Sequence, residues 1–158
     1  MDRQRSERIR LVLAVLGLCI SAYLTAVHYD AHVKLACSAV GIIDCAGVLT
    51  SPQSVWFHLP VAVYGLAWFL VAGALNWAVL RGARLAGAGL IWTLIGAATV
   101  VFLVYDELVV IGRICLWCSG VHLLVLASLV LAVLASGDAP AADAAEDGSG
   151  PAAPPPAR

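Results

Sequence analysis

Charge is scarce in this chain. Lys and Arg number 9 and Asp and Glu 10, so charged residues make up 12% of 158 while hydrophobic residues make up 62%. A water-soluble domain of this length needs more polar surface to cover its core, so that class is excluded. The few charges are also clustered. Uncharged stretches cover 11–29, 85–105 and 114–137, and the apolar part of the stretch after Asp44 covers 59–80. Each approaches the roughly 20 residues a helix needs to cross a hydrocarbon core about 30 Å thick. Strict polar/apolar alternation is missing from these runs, which excludes strands of a membrane barrel. In lipid a helix satisfies its own backbone. The expected fold is therefore all-α: an integral membrane four-helix bundle with helices at about 11–29, 59–80, 86–105 and 114–135.

Other absences are informative. No small-x-small cleavage site follows the apolar run that begins at Leu11, so the first segment reads as a membrane helix and not as a cleaved signal peptide. Residues 136–158 offer no apolar face and read as a disordered tail on a transmembrane domain of residues 1–135. His28, His32 and His58 lack metal-ligand spacing, and no metal is expected. Basic residues are biased to one side: Arg3, Arg5, Arg8 and Arg10 before the first helix, Arg81 and Arg84 between the second and third, against Lys34 and Arg113 opposite. By the positive-inside rule both termini are cytoplasmic, in a cell (inner or plasma) membrane. The loop between helices 1 and 2 and the turn between helices 3 and 4 then face outward, where disulfides persist.

Four of the five cysteines fall on that side. Cys19, in the middle of helix 1, reads as a small buried hydrophobe. Cys115 and Cys118 form a C-x-x-C opening the last helix. The helix N-terminus and nearby Arg113 favour a thiolate at Cys115. Cys118 lies about 4.5 Å further along the axis, at a rise of about 1.5 Å per residue, and faces deeper into the bundle. Cys37 and Cys45, with seven residues including Gly41 between them in the loop, are within reach of a soluble protein. Asp44 beside Cys45 opposes a thiolate there. Two static disulfides, or a zinc ion held by four thiolates, are the competing readings. The C-x7-C half is too long for a usual zinc-finger knuckle, and C-x-x-C is a short ring typical of redox pairs.

The order of these pieces resembles the vitamin K epoxide reductase (VKOR) family from helix 1 to helix 4. The residues that carry the likeness are Cys37-x7-Cys45, Ser51 six residues later in CAGVLTSPQSVWFHLPVAVYG, and the C-x-x-C in ICLWCSGVHLL. The resemblance implies a quinone-dependent thiol-disulfide oxidoreductase. The pair Cys37/Cys45 would take electrons from a thioredoxin-like partner. Cys45 would exchange with Cys115, and Cys118 would stand next to a membrane quinone, menaquinone or ubiquinone. Ser51, Ser54 and Phe57 would cover the quinone site. Where some animal members carry Tyr four residues after the second Cys, this chain has His122. One turn below Cys118, His122 can bond a quinone oxygen or another helix. Its presence speaks against epoxide opening, a strict vitamin K epoxide reductase activity. With no fused thioredoxin-like domain in the sequence, the expected partner is a separate protein on the outer side; no nucleic acid is expected.

Three further readings concern the surroundings. Trp117 belongs to an interfacial aromatic belt. Trp56, Phe57 and His58 form an amphipathic segment at the interface, and Asp106 and Glu107 are solvated at the end of helix 3. The DsbB-type membrane oxidase also has four helices and two pairs, but its C-x-x-C lies in the first outer loop; here it lies in the second. From another class, a non-enzymatic membrane protein with structural disulfides remains the alternative.

Overall fold

The computed structural model describes residues 3–30, 32–33, 35–37 and 39–137. In chain order it contains α1 (Arg3–Tyr29), the short α2 (Cys45–Leu49), a 3-10 turn (Pro52–Ser54), and a two-stranded hairpin of β1 (Val55–Trp56) and β2 (Leu59–Pro60). Then come α3 (Val61–Leu80), α4 (Ala86–Tyr105), a π-helical turn (Asp106–Ile111) and α5 (Leu116–Gly137). Among these, α1, α3, α4 with its π-helical turn, and α5 are long and apolar enough to cross a membrane. The all-α four-helix membrane architecture expected from the charge gaps is the one observed. Its outward faces are apolar, with Val101 69% and Leu123 66% exposed. A surface of that kind requires lipid and not water.

Two features depart from the sequence reading. The stretch 56–58 is not an amphipathic segment: Trp56 pairs with Leu59 across a two-residue turn. Phe57 and His58 form that turn with φ of 48° and 66°, as a type I′ hairpin demands of both central residues. Further, α1 starts at Arg3, and its basic stretch is not all peripheral. Arg10 is buried, as are Ser6 and Glu7. The Arg10 guanidinium donates to Glu7 Oε1 at 2.9 Å and to the Gly89 carbonyl at 3.4 Å, while the Ser6 hydroxyl donates to the Leu131 carbonyl. A charge withdrawn from water needs a paired and hydrogen-bonded partner; Glu7, one turn away, supplies it. Of the expected tail, Ser136 and Gly137 complete α5, and 138–158 lie outside the described residues, as does Lys34.

Small residues set how close the helices come. Gly65 and Gly73 of α3 face Ser21 and Ala14 of α1, and Gly96 of α4 faces the Trp68 ring. The tightest contact reverses the roles: Gly17 of α1 lies against the Phe69 ring of α3. Phe69 is 1% exposed and joins Ala14, Ala72, Val100 and Val125 in the core. In lipid such close approach supplies the packing that holds helices together. Cys19 is not in this core. It is exposed on the outer face of α1, because the inward face at that level is taken by Gly17 and Ser21.

Gly17→Ala adds a methyl group where the Phe69 ring already sits. Overpacking of that kind costs about 1–3 kcal/mol. A lowered Tm for the variant in detergent is expected, and an unchanged Tm would show that the ring moves aside freely.

Candidate functional site

The cysteine loop is bound to the start of α5 by its main chain. A turn at Val40–Ile43 folds the loop back, with Gly41 at φ 61°. The chain then runs parallel to the segment before α5, with Ile43 bridged to Ile114. The Asp44 N–H donates to the Ile114 carbonyl at 3.0 Å, and the Ile114 N–H donates to the Ile42 carbonyl at 2.9 Å. Cys45 and Cys115 therefore each follow a segment that is in register with the other, and they pack into one buried cluster with Val48.

Asp44 orders this loop. It caps α2 by accepting the Gly47 N–H at 2.8 Å, and its other oxygen pairs with the Arg113 guanidinium. The Gly47 hydrogen bond holds its carboxyl below the usual carboxylate range; partial desolvation opposes this and Arg113 assists it. The expected help from Arg113 to a Cys115 thiolate is thereby redirected: its guanidinium sits on Asp44. The same pairing offsets the negative charge that the sequence placed beside Cys45. A different donor serves Cys115, whose Sγ accepts the Cys118 N–H at 3.2 Å in the first turn of α5. This is the helix-terminus effect expected from the sequence.

The four sulfurs form two disulfides, Cys37–Cys45 and Cys115–Cys118, with Cα separations of 6.1 and 5.2 Å. Their exposure is graded. Cys37 is half-buried in the loop, Cys45 is 1% exposed, Cys115 is 0% exposed, and Cys118 lines an internal cavity. Trp117 is not a free belt residue. Its indole N–H donates to the Ala36 carbonyl at 3.1 Å, and its ring packs edge-on against Tyr23. The Tyr23 hydroxyl in turn accepts the Ala36 N–H. The residue before Cys37 is thus tied to both α1 and α5.

The cavity has a volume of about 430 Å³ and is walled mainly by apolar side chains of α1, α3, α4 and α5, with α2 and the hairpin over its mouth. Ser51, Ser54 and His122 line it with Cys118. Phe57 does not. It is 91% exposed at the hairpin tip, because the alternation along β1 turns Trp56 inward and the next residue away. Trp56 is the aromatic that covers the cavity, against Tyr64 and Phe102. Most polar side chains here already donate to main-chain oxygens. Ser51 binds Val48, Ser54 binds Leu49 and Ser51, Tyr64 binds Trp56, and Trp92 binds Trp68. His122, 7% exposed and one helical turn from Cys118, and the buried Trp68 indole N–H, which has no hydrogen-bond partner among the described residues, can each meet a ligand oxygen in the cavity.

Sequence reasoning missed Glu107. Expected to be solvated, it is 7% exposed and lines the cavity. The wider π-helical turn changes which residues face inward. The Glu107 main-chain carbonyl accepts the Arg113 N–H at 2.9 Å. A helical wheel of period 3.6 carries no sign of this turn. The left-handed Gly112 that ends it, at φ 68°, is the one local signal.

This disposition of paired sulfurs beside a membrane cavity agrees with a comparison against known families. The family model described as Vitamin K epoxide reductase family (VKOR) matches residues 8–133. The chain belongs to the VKOR family. No curated protein matches the chain. VKOR membership, with four apolar helices, makes it a multi-pass membrane protein of disulfide oxidoreductase class. Among the described residues, no cluster of His, Cys, Asp and Glu is arranged to hold a metal ion.

Two outcomes follow from this VKOR geometry. In a Cys37→Ala, Cys118→Ala double variant, Cys45 and Cys115 are left without their partners and adjacent. They are expected to form a Cys45–Cys115 disulfide, identified by peptide mass spectrometry without reductant; its absence would separate the two pairs. For Asp44, a depressed folded pKa means that its contribution to loop order is complete above its ordinary value of 3.8 and is lost as pH falls through the lower folded value. Amide exchange at Gly47 should accelerate in that acid range, and Asp44→Asn should remove most of the pH dependence.

Proposed function

We propose that the protein is a quinone-dependent thiol-disulfide oxidoreductase that oxidises a thioredoxin-like partner. The observation that carries this reading is the graded burial of the four sulfurs, from Cys37 at the loop surface to Cys118 at the cavity. A structural pair of staples has no need of two sealed sulfurs between two accessible ones.

The chemistry runs by thiol–disulfide exchange. A partner thiolate attacks Cys37 and breaks Cys37–Cys45, leaving a mixed disulfide and a Cys45 thiolate. The partner's second thiol releases Cys37 and leaves with its own disulfide. Cys45 then attacks Cys115, breaking Cys115–Cys118, and Cys37 resolves the Cys45–Cys115 bond to restore the loop pair. Two electrons now reside on Cys115 and Cys118. The Cys118 N–H directed at Cys115 Sγ favours its thiolate, which makes Cys115 a good leaving and attacking sulfur.

The cavity residues fit a quinone. Its volume of about 430 Å³ and its apolar walls suit a fused or substituted ring with an isoprenoid tail. A bound quinone supplies the two-electron acceptor. His122 would orient a carbonyl oxygen next to Cys118, Trp56 would cover the ring, and Ser51 and Ser54 would shape the mouth through their main-chain bonds. Menaquinone and ubiquinone both satisfy these requirements. The loop and cavity lie at the end of the bundle opposite Arg81 and Arg84, so the charge bias supports an outward-facing site with cytoplasmic termini.

Turnover of decylubiquinone or menadione with dithiothreitol tests the reading. Cys118→Ala should abolish quinone reduction while Cys37 remains able to form a mixed disulfide with a partner dithiol. Retained turnover in that variant would exclude Cys118 as the electron donor.

A further inference from the structure

The reaction moves two protons along with two electrons, and the sulfur chain accounts only for the electrons. Glu107 is placed to account for a proton. It is a carboxyl group within the membrane-spanning part of the chain, 7% exposed, and it opens onto the same cavity as Cys118. Its main-chain carbonyl accepts the Arg113 N–H at 2.9 Å, which ties it to the segment leading into the C-x-x-C. The π-helical turn brings it there. Burying an ionisable group at membrane depth is costly, and such groups cluster on proton and ion paths.

A purely structural role is a poor account of this residue. Filling this place in the cavity wall asks only for a neutral side chain, which Gln supplies at the same length without a charge to bury. The titratable groups that share the cavity are His28 from α1, Tyr64 from α3, Asp106 beside it, and Cys118 and His122 from α5. The nearest cation in the loop, Arg113, has its guanidinium on Asp44. Glu107 therefore has no salt-bridge partner among the described residues to fix it as a permanent anion.

We infer that Glu107 is the proton carrier of the Cys115/Cys118 couple, taking a thiol proton as the disulfide forms and passing it to the electron acceptor in the cavity. This rests on the quinone-reductase reading. The balance is closed: two thiols and one quinone give one disulfide and one quinol, and both thiol protons end on the quinol oxygens. One of them travels on the Glu107 carboxyl, which returns to carboxylate. His122, beside Cys118, is the neighbour through which the carboxyl can reach the acceptor oxygen.

The carboxyl and a thiol sharing one proton form a coupled pair. Between the two macroscopic steps of such a pair the thiolate fraction stays constant with pH. The test uses the full-length protein in detergent, reduced and free of quinone. The rate of Cys118 alkylation by N-ethylmaleimide, followed by peptide mass spectrometry, should be nearly flat from pH 6 to 8. In Glu107→Gln it should rise about tenfold per pH unit, as an isolated thiol of ordinary pKa does. In the menadione assay the same variant should lose roughly 100-fold in kcat, a typical general acid–base contribution. Glu107→Asp keeps a carboxyl and should keep the flat alkylation profile.

An alkylation profile in Glu107→Gln that matches the unsubstituted protein, with kcat within about threefold, overturns the proposal. So does a folded Glu107→Asp protein that loses the flat profile, which decides the matter if the Gln variant does not fold. If the unsubstituted protein reduces no quinone, the functional reading fails on its own, and the quinone-free alkylation arm still decides whether Glu107 shares the thiol proton.

Discussion

Two main-chain hydrogen bonds hold the site together. They join residues 42–44 of the loop to Ile114 just before α5. Each bond is worth only about 1 kcal/mol net, but they fix a register, and the register determines which sulfur meets which. A shift by one residue would turn Cys45 away from Cys115. Asp44 reinforces the same arrangement from both directions, by capping α2 and by pairing with Arg113 at the other strand. The Trp117 and Tyr23 bonds to Ala36 secure the far end of the loop. Among the described residues, Ala36 and 40–49 of the loop are thus bonded into the bundle.

The bundle itself was legible because lipid imposes a single demand. Every membrane-crossing segment must be apolar and helical, so gaps between charges outline four helices. The cysteine pairs were legible because their chemistry needs fixed spacing. What the sequence hid depends on events that neither demand governs. Glu107 faces inward only because the helix widens after Tyr105. Phe57 faces outward because a two-residue turn, not a helix, occupies 56–59. Arg10 looked like a membrane flank, yet Glu7 three residues earlier lets it enter the bundle. Arg113 was correctly placed near Cys115, but its partner, Asp44, is 69 residues away and no local pattern links the two.

The two ends of the bundle solve the same problem differently. At one end Glu7 and Arg10 neutralise each other within α1, and Ser6 bonds α5. The charges are paired there, although Glu7 Oε2 and Arg10 Nε keep no hydrogen-bond partner among the described residues. At the other end, the buried polar groups Glu107 and His122 face a cavity. Glu7 and Arg10 also border a cavity, of about 220 Å³; the cavity beside Glu107 and His122 differs in its larger volume of about 430 Å³, its mainly apolar walls and its contact with Cys118. The helix–helix contacts through Gly17, Gly65 and Gly96 lie between the two ends and keep the cavity walls at a fixed spacing.

The burial of Cys45 and Cys115, at 1% and 0% exposure, has a kinetic meaning as well as a geometric one. A thiolate that water cannot reach is also closed to peroxide, glutathione and stray disulfides. On the proposed reading, the two sealed sulfurs act like an insulated length of conductor with bare terminals at the loop and at the cavity. Reducing equivalents entering at Cys37 would then have a single forward exit, with short circuits to the surrounding solution blocked by packing.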